Sequence, residues 1–308
     1  MGKSEASSQR MRGGRRRPRS CRNSGDRASE LIVATFAHIW LVGVEGAVLQ
    51  VTFHPGFDIK TSADPMGFTY GPGVFGPELE LRRLDAIRPS LLDPACEGPD
   101  PVYAIAMDVG TDDAKDDLVR RNLLYGAVTY AAGSLGVEPV RSQGHVHAVS
   151  KSCGTSTGEL YEIWSGRAVI LMQESDSDDP GRCFAVEAGP GQLVVVPPGW
   201  AHATISADRT QPLTFGAWCV RDFGFDYTGV RAHGGLAWFP RLGSGTQIDW
   251  VRNPAYPIRW DLDTRSARDY PDLGLEAGVP VYSQYLRDPE RMMWVPRPDL
   301  RSWAGFVP

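Results

Sequence analysis

Two histidines on alternate positions of a short stretch, followed at fixed distances by a glutamate and a third histidine, constrain this chain more than any other feature. Between residues 144 and 202 the sequence passes through Gly144-His145-Val146-His147 and then Thr157-Gly158-Glu159-Leu160-Tyr161. It closes on Gly191-Gln192-Leu193-Val194-Val195-Val196-Pro197-Pro198-Gly199-Trp200-Ala201-His202. Side chains alternate faces along a β-strand, so His145 and His147 point the same way. Glu159 and Tyr161 share a face by the same rule, as do His202, Thr204 and Ser206. Three short strands turned inward would bring three imidazoles and one carboxylate to a single divalent ion. A six-coordinate ion would keep two positions for water or substrate oxygens, which describes a reaction centre and not a closed structural site.

The surrounding text is strand after strand. Segments 124–130, 159–164, 167–173, 183–188, 192–196, 201–206 and 215–220 are apolar or alternating and are separated by Gly, Pro, Asp and Ser turns. The protein has 34 Gly and 24 Pro in 308 residues. This spacing predicts an all-β, antiparallel, closed or nearly closed barrel. Segment 102–109 reads as a further strand, and Glu78 to Leu84 as a short strand or helix over the barrel mouth. Asp112 to Asp117 reads as an acidic surface loop. No internal repeat is visible, so one barrel is expected rather than two.

The spacing resembles the cupin superfamily. Gly191, Pro197, Gly199 and His202 fit its second motif without a gap. His145, His147, Glu159 and Gly166 fit the first, with eleven residues between His147 and Glu159 where three or four are usual. The excess is small and polar and reads as a lengthened loop, cheap for a sheet to carry. Ser142-Gln143-Gly144-His145-Val146-His147-Ala148, Asp100-Pro101-Val102-Tyr103 and Phe225-Asp226-Tyr227-Thr228-Gly229 narrow the likeness to the cupin-type glucose-6-phosphate isomerases, over roughly residues 57 to 255.

That resemblance implies a double-stranded β-helix (jelly-roll) barrel and a metal-dependent aldose–ketose isomerase of carbohydrate metabolism. It also implies a phosphorylated sugar as substrate and a homodimer. The metal ligands would be His145, His147, Glu159 and His202, with Fe2+ as first choice and Mn2+, Ni2+ or Zn2+ as alternatives. Glu159 and Tyr161 are the candidates for moving protons. Tyr103, Thr129, Ser142, the backbone N–H of Gly144 and Tyr227 are the candidates for holding the anionic end of the substrate. Departures from the family pattern fall at that end. Phe225 replaces a histidine, Val128 a threonine (with Thr129 beside it as a substitute), and Cys219 a tyrosine. The rival readings are a cupin isomerase or epimerase on a different substrate, an Fe(II) cupin dioxygenase, and a metal- or sugar-sensing module.

Charge and cysteine usage set the outer bounds. The formal net charge is −5, yet residues 1 to 30 carry nine Lys/Arg against three acids. The remainder is therefore strongly acidic, which argues against a nucleic-acid-binding face. The five cysteines are scattered without a Cys-x-x-Cys pair, which fits a reducing, cytoplasmic setting. The expected organisation is a disordered basic tail over 1–30, one barrel domain with N-terminal decorations over 31–255, and an extension over 256–308. That extension would pack on the barrel or on a dimer partner. The apolar run from Leu31 to Val44 is too short to span a membrane. His38 and His54, without partner motifs, read as structural residues.

Overall fold

The computed structural model describes residues 52–257 and 259–308; the expectations for the basic tail, the run from Leu31 to Val44 and His38 lie outside the described residues. The barrel strands are β1 (Glu80–Arg82), β2 (Tyr103–Met107), β3 (Leu123–Tyr130), β4 (Val146–His147), β5 (Glu159–Ser165), β6 (Ala168–Gln173), β7 (Cys183–Ala188), β8 (Leu193–Val196), β9 (Ala201–Ser206), β10 (Leu213–Val220), β11 (Phe225–Asp226) and β12 (Leu262–Ser266). A six-stranded sheet runs β8-β5-β10-β3-β2-β1, and a four-stranded sheet runs β9-β6-β7-β12. All their pairings are antiparallel except β7 with β12, which is parallel.

The period-2 rule decides which residues meet between the sheets. Ile163, Val128, Tyr130, Val194, Phe215 and Ala217 of the large sheet share one core with Ile170, Met172, Phe184 and Val186 of the small sheet. The intervening residues face outward and form separate apolar layers. The passage from β5 in the large sheet to β6 in the small sheet is made at Gly166, whose φ is +78°. A Cβ there would lie 2.7 Å from the carbonyl oxygen of Pro212, so no other residue fits this turn.

The outer face of the large sheet is covered by the chain's own C-terminal segment. Tyr125, Leu160, Trp164, Val195 and Trp218 pack against Tyr270, Tyr282, Tyr285, Met292 and Trp294. Trp218 stacks on Tyr282 with ring centroids 5.7 Å apart. Burying side chains of this size stabilises the fold by roughly 1.5–3 kcal/mol each. Residues after 256 do more than pack on a finished barrel, because β12 supplies an edge strand of the small sheet.

One local expectation changes and another is resolved. The acidic stretch at Asp112 is not an open loop: Asp112–Ala114 forms a 3-10 turn that leads into a helix, Lys115–Arg120. Leu118 is fully buried, and Asp116 and Asp117 stand in the first turn, where acidic side chains favour a helix. The stretch from Glu78 resolves into strand β1 followed by a helical turn, Leu84–Ile87.

Glu162 is the one carboxylate fully enclosed beneath the C-terminal cover among the described residues. The backbone N–H of Val281 donates to its Oε1 at 2.7 Å and the Tyr125 hydroxyl to its Oε2 at 3.2 Å. Burial pushes its pKa up from 4.5 to about 7, with these hydrogen bonds acting the other way. Native protein therefore keeps a proton that the unfolded chain releases, and this contribution is complete below about pH 4.5 and lost as pH rises through about 7. Chemical denaturation of wild type should show about 3 kcal/mol of stability lost from this group over that window. In Glu162→Gln the slope of stability against pH should flatten by that amount.

Candidate metal centre

Three strands and one isolated bridge carry the candidate ligands to one place. His145 pairs with His202 across an antiparallel bridge: His145 N–H donates to His202 O at 3.0 Å, and His202 N–H to His145 O at 2.9 Å. His147, at the end of β4, is registered against Phe225 of β11. Glu159 opens β5 opposite Val196 of β8, the residue before the Pro-Pro-Gly turn that leads into β9 and His202. The ligand atoms of His145, His147, Glu159 and His202 all lie within 4.8 Å of one another.

The long segment between His147 and Glu159 is tied down at both ends. Ser150 Oγ and Ser152 N–H donate to the Asp222 carboxylate at 2.9 and 3.0 Å. Ser156 Oγ donates to His147 O at 2.7 Å while accepting from Gly199 N–H at 3.0 Å. One hydroxyl thus joins the first motif to the Pro-x-Gly turn of the second. Cys153, in the same loop, stands outside the ligand group.

The donor set fits a divalent ion, and hydrogen bonding shows why. His147 Nδ1 lies 3.1 Å from Thr157 O, and His202 Nδ1 lies 3.1 Å from Trp200 O. A carbonyl only accepts, so each Nδ1 carries the proton and each Nε2 presents a lone pair. Those lone pairs face Glu159 Oε2 at 3.3 and 3.0 Å. Nε2 of both His145 and His147 is buried without a hydrogen-bond partner. Acceptors aimed at acceptors in a dry interior repel unless a cation sits among them. Three neutral imidazoles and a carboxylate suit a first-row divalent metal.

Electrostatics agree. Burial alone would push the Glu159 carboxyl up; protons on the His147 and His202 Nε2 atoms hold it well below the usual range, and a bound cation would take the place of those protons. Burial, then the neighbouring His202 and His147, drive the His145 imidazole well below its ordinary value, toward the neutral form that ligates. The Tyr161 hydroxyl donates to Glu159 Oε2 at 2.7 Å. Burial first, and Glu159 second, raise that phenol well above its ordinary range, so it stays protonated.

A pocket opens from this centre between the sheets. Its walls include Tyr103, Ser142, Gly144 and Tyr227, together with His145, Glu159 and Tyr161. Thr129 is not brought there. It points to the opposite face of β3, where its hydroxyl meets Thr214 Oγ1 at 3.0 Å, while Val128 and Tyr130 take the inward positions. The alternation of β3 excludes both neighbours of Val128 from the pocket, so the substitute role expected for Thr129 falls away. Phe225 stands against His145 with ring centroids 4.5 Å apart. Cys219 is buried one inward step beyond Ala217 and does not line the pocket.

Two polar pocket residues carry no role in the sequence reading. Arg82 enters from β1 and Gln143 from the residue before Gly144. Alternation could not have found Gln143, because Gly144, with φ +89°, breaks the strand and Ser142, Gln143, Gly144 and His145 all line the pocket in succession. Nor does any signal mark Arg82, because β1 is only three residues long.

Comparison with known proteins gives a family model, glucose-6-phosphate isomerase (GPI), that matches residues 89–259, more than half of the chain. The chain belongs to that family. It is 27% identical over 139 residues to the glucose-6-phosphate isomerase of Thermococcus gammatolerans, covering 44% of this chain and 66% of that protein. To the Thermococcus kodakarensis protein of the same name it is 27% identical over 158 residues, covering 50% and 76%. For Pyrococcus horikoshii the figures are 27% over 179 residues, 56% and 87%. Among solved structures, a Bacillus subtilis oxalate decarboxylase mutant aligns with a TM-score of 0.31 at 14% identity, covering 51% of this chain and 30% of that one. An oxalate oxidase aligns at 0.31 and 15%, covering 41% and 55%. Among the described residues no helix is long and apolar enough to cross a membrane.

His147→Ala and His202→Ala should each abolish near-stoichiometric retention of divalent metal through gel filtration, read by elemental analysis. Thr129→Val, which removes the hydroxyl contact with Thr214 Oγ1, should retain wild-type metal content.

Proposed function

We propose that this protein is a metal-dependent aldose–ketose isomerase acting on a phosphorylated sugar, with the glucose 6-phosphate/fructose 6-phosphate pair as the first substrates to test. The observation that carries the reading is the bonded pair Tyr161–Glu159 beside three convergent imidazoles, in a member of the glucose-6-phosphate isomerase family. His145, His147, Glu159 and His202 would hold the ion. A divalent metal bound there supplies Lewis acidity to the sugar's carbonyl oxygen and orients it with the adjacent hydroxyl oxygen.

Everything else falls to the chain's own residues. Isomerisation moves one hydrogen between neighbouring carbons and one between neighbouring oxygens, leaving the atom count unchanged. Glu159 is the buried base in line with the pocket, and the Tyr161 hydroxyl, 2.7 Å from Oε2, can give it a proton or take one back. Its raised pKa keeps the phenol loaded at neutral pH, which suits a donor. Dry walls supplied by Ile105, Met107, Phe215 and Ala217 exclude water that would otherwise quench the exchange.

A second reading has its own observation. Phe225 and Val128 both line the pocket, so two positions where the family resemblance implies polar groups are apolar here. This favours a cupin isomerase or epimerase working on a sugar phosphate with fewer hydroxyls to satisfy. An Fe(II) dioxygenase is separated from both by its need for oxygen.

Tyr161→Phe should keep its metal and lower kcat by about 10²- to 10⁴-fold in an anaerobic isomerisation assay. Wild-type activity in that variant would remove Tyr161 from the proton path. Phe225→His should raise kcat/KM for fructose 6-phosphate if the aromatic ring restricts the substrate range. A panel of sugar phosphates on which both proteins perform alike would remove Phe225 as the discriminating residue.

A further inference from the structure

Eleven residues separate His147 from Glu159. Lengthening a loop costs a fold little, but it also gives the two ends of the loop freedom to part, and here both ends are candidate metal ligands. The loop is not left free. Asp222 lies just past β10, and its carboxylate gathers the loop in: Ser150 Oγ donates to Oδ1 at 2.9 Å and Ser152 N–H to Oδ2 at 3.0 Å. Asn122, just before β3, donates from Nδ2 to the same Oδ1 and to Ser152 Oγ, each at 2.8 Å. β3 and β10 are paired along their whole length within the large sheet, from Leu123 with Val220 to Tyr130 with Leu213. The loop is therefore moored to the end of a rigid strand pair. Ser150 is 1% exposed, so its hydroxyl has no water to turn to if the carboxylate is removed.

The returning arm of the loop grips His147 twice. Ser156 Oγ donates to its carbonyl oxygen at 2.7 Å, and Thr157 O lies 3.1 Å from its Nδ1. Ser156 Oγ also accepts from Gly199 N–H at 3.0 Å, three residues before His202. On the other side, Ala148 N–H donates to Gly224 O at 2.8 Å, two residues past Asp222 on the segment that runs into β11 and pairs with β4. Asp222 and Ser156 are not themselves in the ligand group; they fix the chain on either side of one ligand.

We propose that Asp222 and Ser156 are the positioning residues of a clasp that sets how long a divalent metal is retained. With the clasp closed, His147 cannot swing away from Glu159, and release waits for the loop to open. The inference goes beyond the isomerase reading and holds for any substrate; it rests only on the four-ligand centre.

Full-length protein loaded with Co2+ and mixed with excess EDTA tests it, the release rate being read from the loss of the Co2+ absorption bands. Asp222→Ala and Ser156→Ala are each expected to speed release about 10- to 100-fold, the range for removing a group that orients a metal ligand. Their Co2+ spectra before EDTA should match wild type, because the ligands are unchanged. Ser156→Thr, which keeps a hydroxyl, should restore most of the wild-type rate, and Asp222→Asn part of it. Asp208→Ala is the control. Its carboxylate also gathers a loop, accepting from Thr210 N–H at 2.9 Å and Gln211 Nε2 at 2.8 Å, but that loop joins no ligands, and its release rate should equal that of wild type. Should Asp222→Ala not fold, Ser150→Ala and Ser156→Ala carry the test. A release rate unchanged in the folded clasp variants, raised as much by Asp208→Ala, or accompanied by a changed Co2+ spectrum would overturn the clasp. A wild type that retains no Co2+ would remove the metal centre and the clasp with it. A wild type that retains Co2+ behind a working clasp and isomerises no sugar phosphate would sink the isomerase reading alone.

Discussion

Four acceptor atoms crowded into a dry space are the constraint on which the rest of the structure depends. One ring nitrogen from each of three histidines and a carboxylate oxygen of Glu159 converge within 4.8 Å, with the Nδ1 atoms of two imidazoles bonded to backbone carbonyls. Nothing in such a cluster is self-stabilising. Its members are held by elements whose own stability comes from elsewhere: the core between the sheets, the bridge between His145 and His202, and the Ser156 hydroxyl joining both motifs. The packing of the fold keeps these groups within joint reach of a single ion.

Strand β5 shows how tightly these tasks are combined. Glu159 and Tyr161 face the pocket, and Leu160 and Glu162 face the opposite way, under the C-terminal cover. Glu162 accepts the N–H of Val281 at the start of the helix Val281–Arg287. The same seven residues therefore present chemistry to one side and an anchor to the other, and a shift in either layer moves both.

The parts legible in the sequence were those governed by short periods. Alternation placed Cys183–Ala188 and Ala201–Ser206 to the residue, and it put His145 with His147 and Glu159 with Tyr161. Fixed turn chemistry around Pro197 and Gly199 did the same for His202. Alternation read without strand phase was less reliable: Thr129 and Val128 are adjacent in sequence but lie on opposite sides of β3, and only the position of the core decides which faces inward. Arg82 could not be seen, because it reaches the pocket from a three-residue strand far away in sequence. The orientation of the Gln143 amide depends on Arg231, eighty-eight residues later, and the apolar cover depends on aromatic residues whose composition does not say which face they seek.

That cover has a consequence for the order in which the molecule is made. The strands of the large sheet are complete once Val220 has emerged from the ribosome, but Tyr282, Tyr285 and Trp294 follow more than sixty residues later. Until then Tyr125, Trp164 and Trp218 form an aromatic plane bare of its C-terminal cover, and the small sheet lacks its edge strand β12. At elongation rates of about 5–20 residues per second, that plane stays naked for several seconds, long enough for a chaperone, or a neighbouring nascent chain, to meet it first.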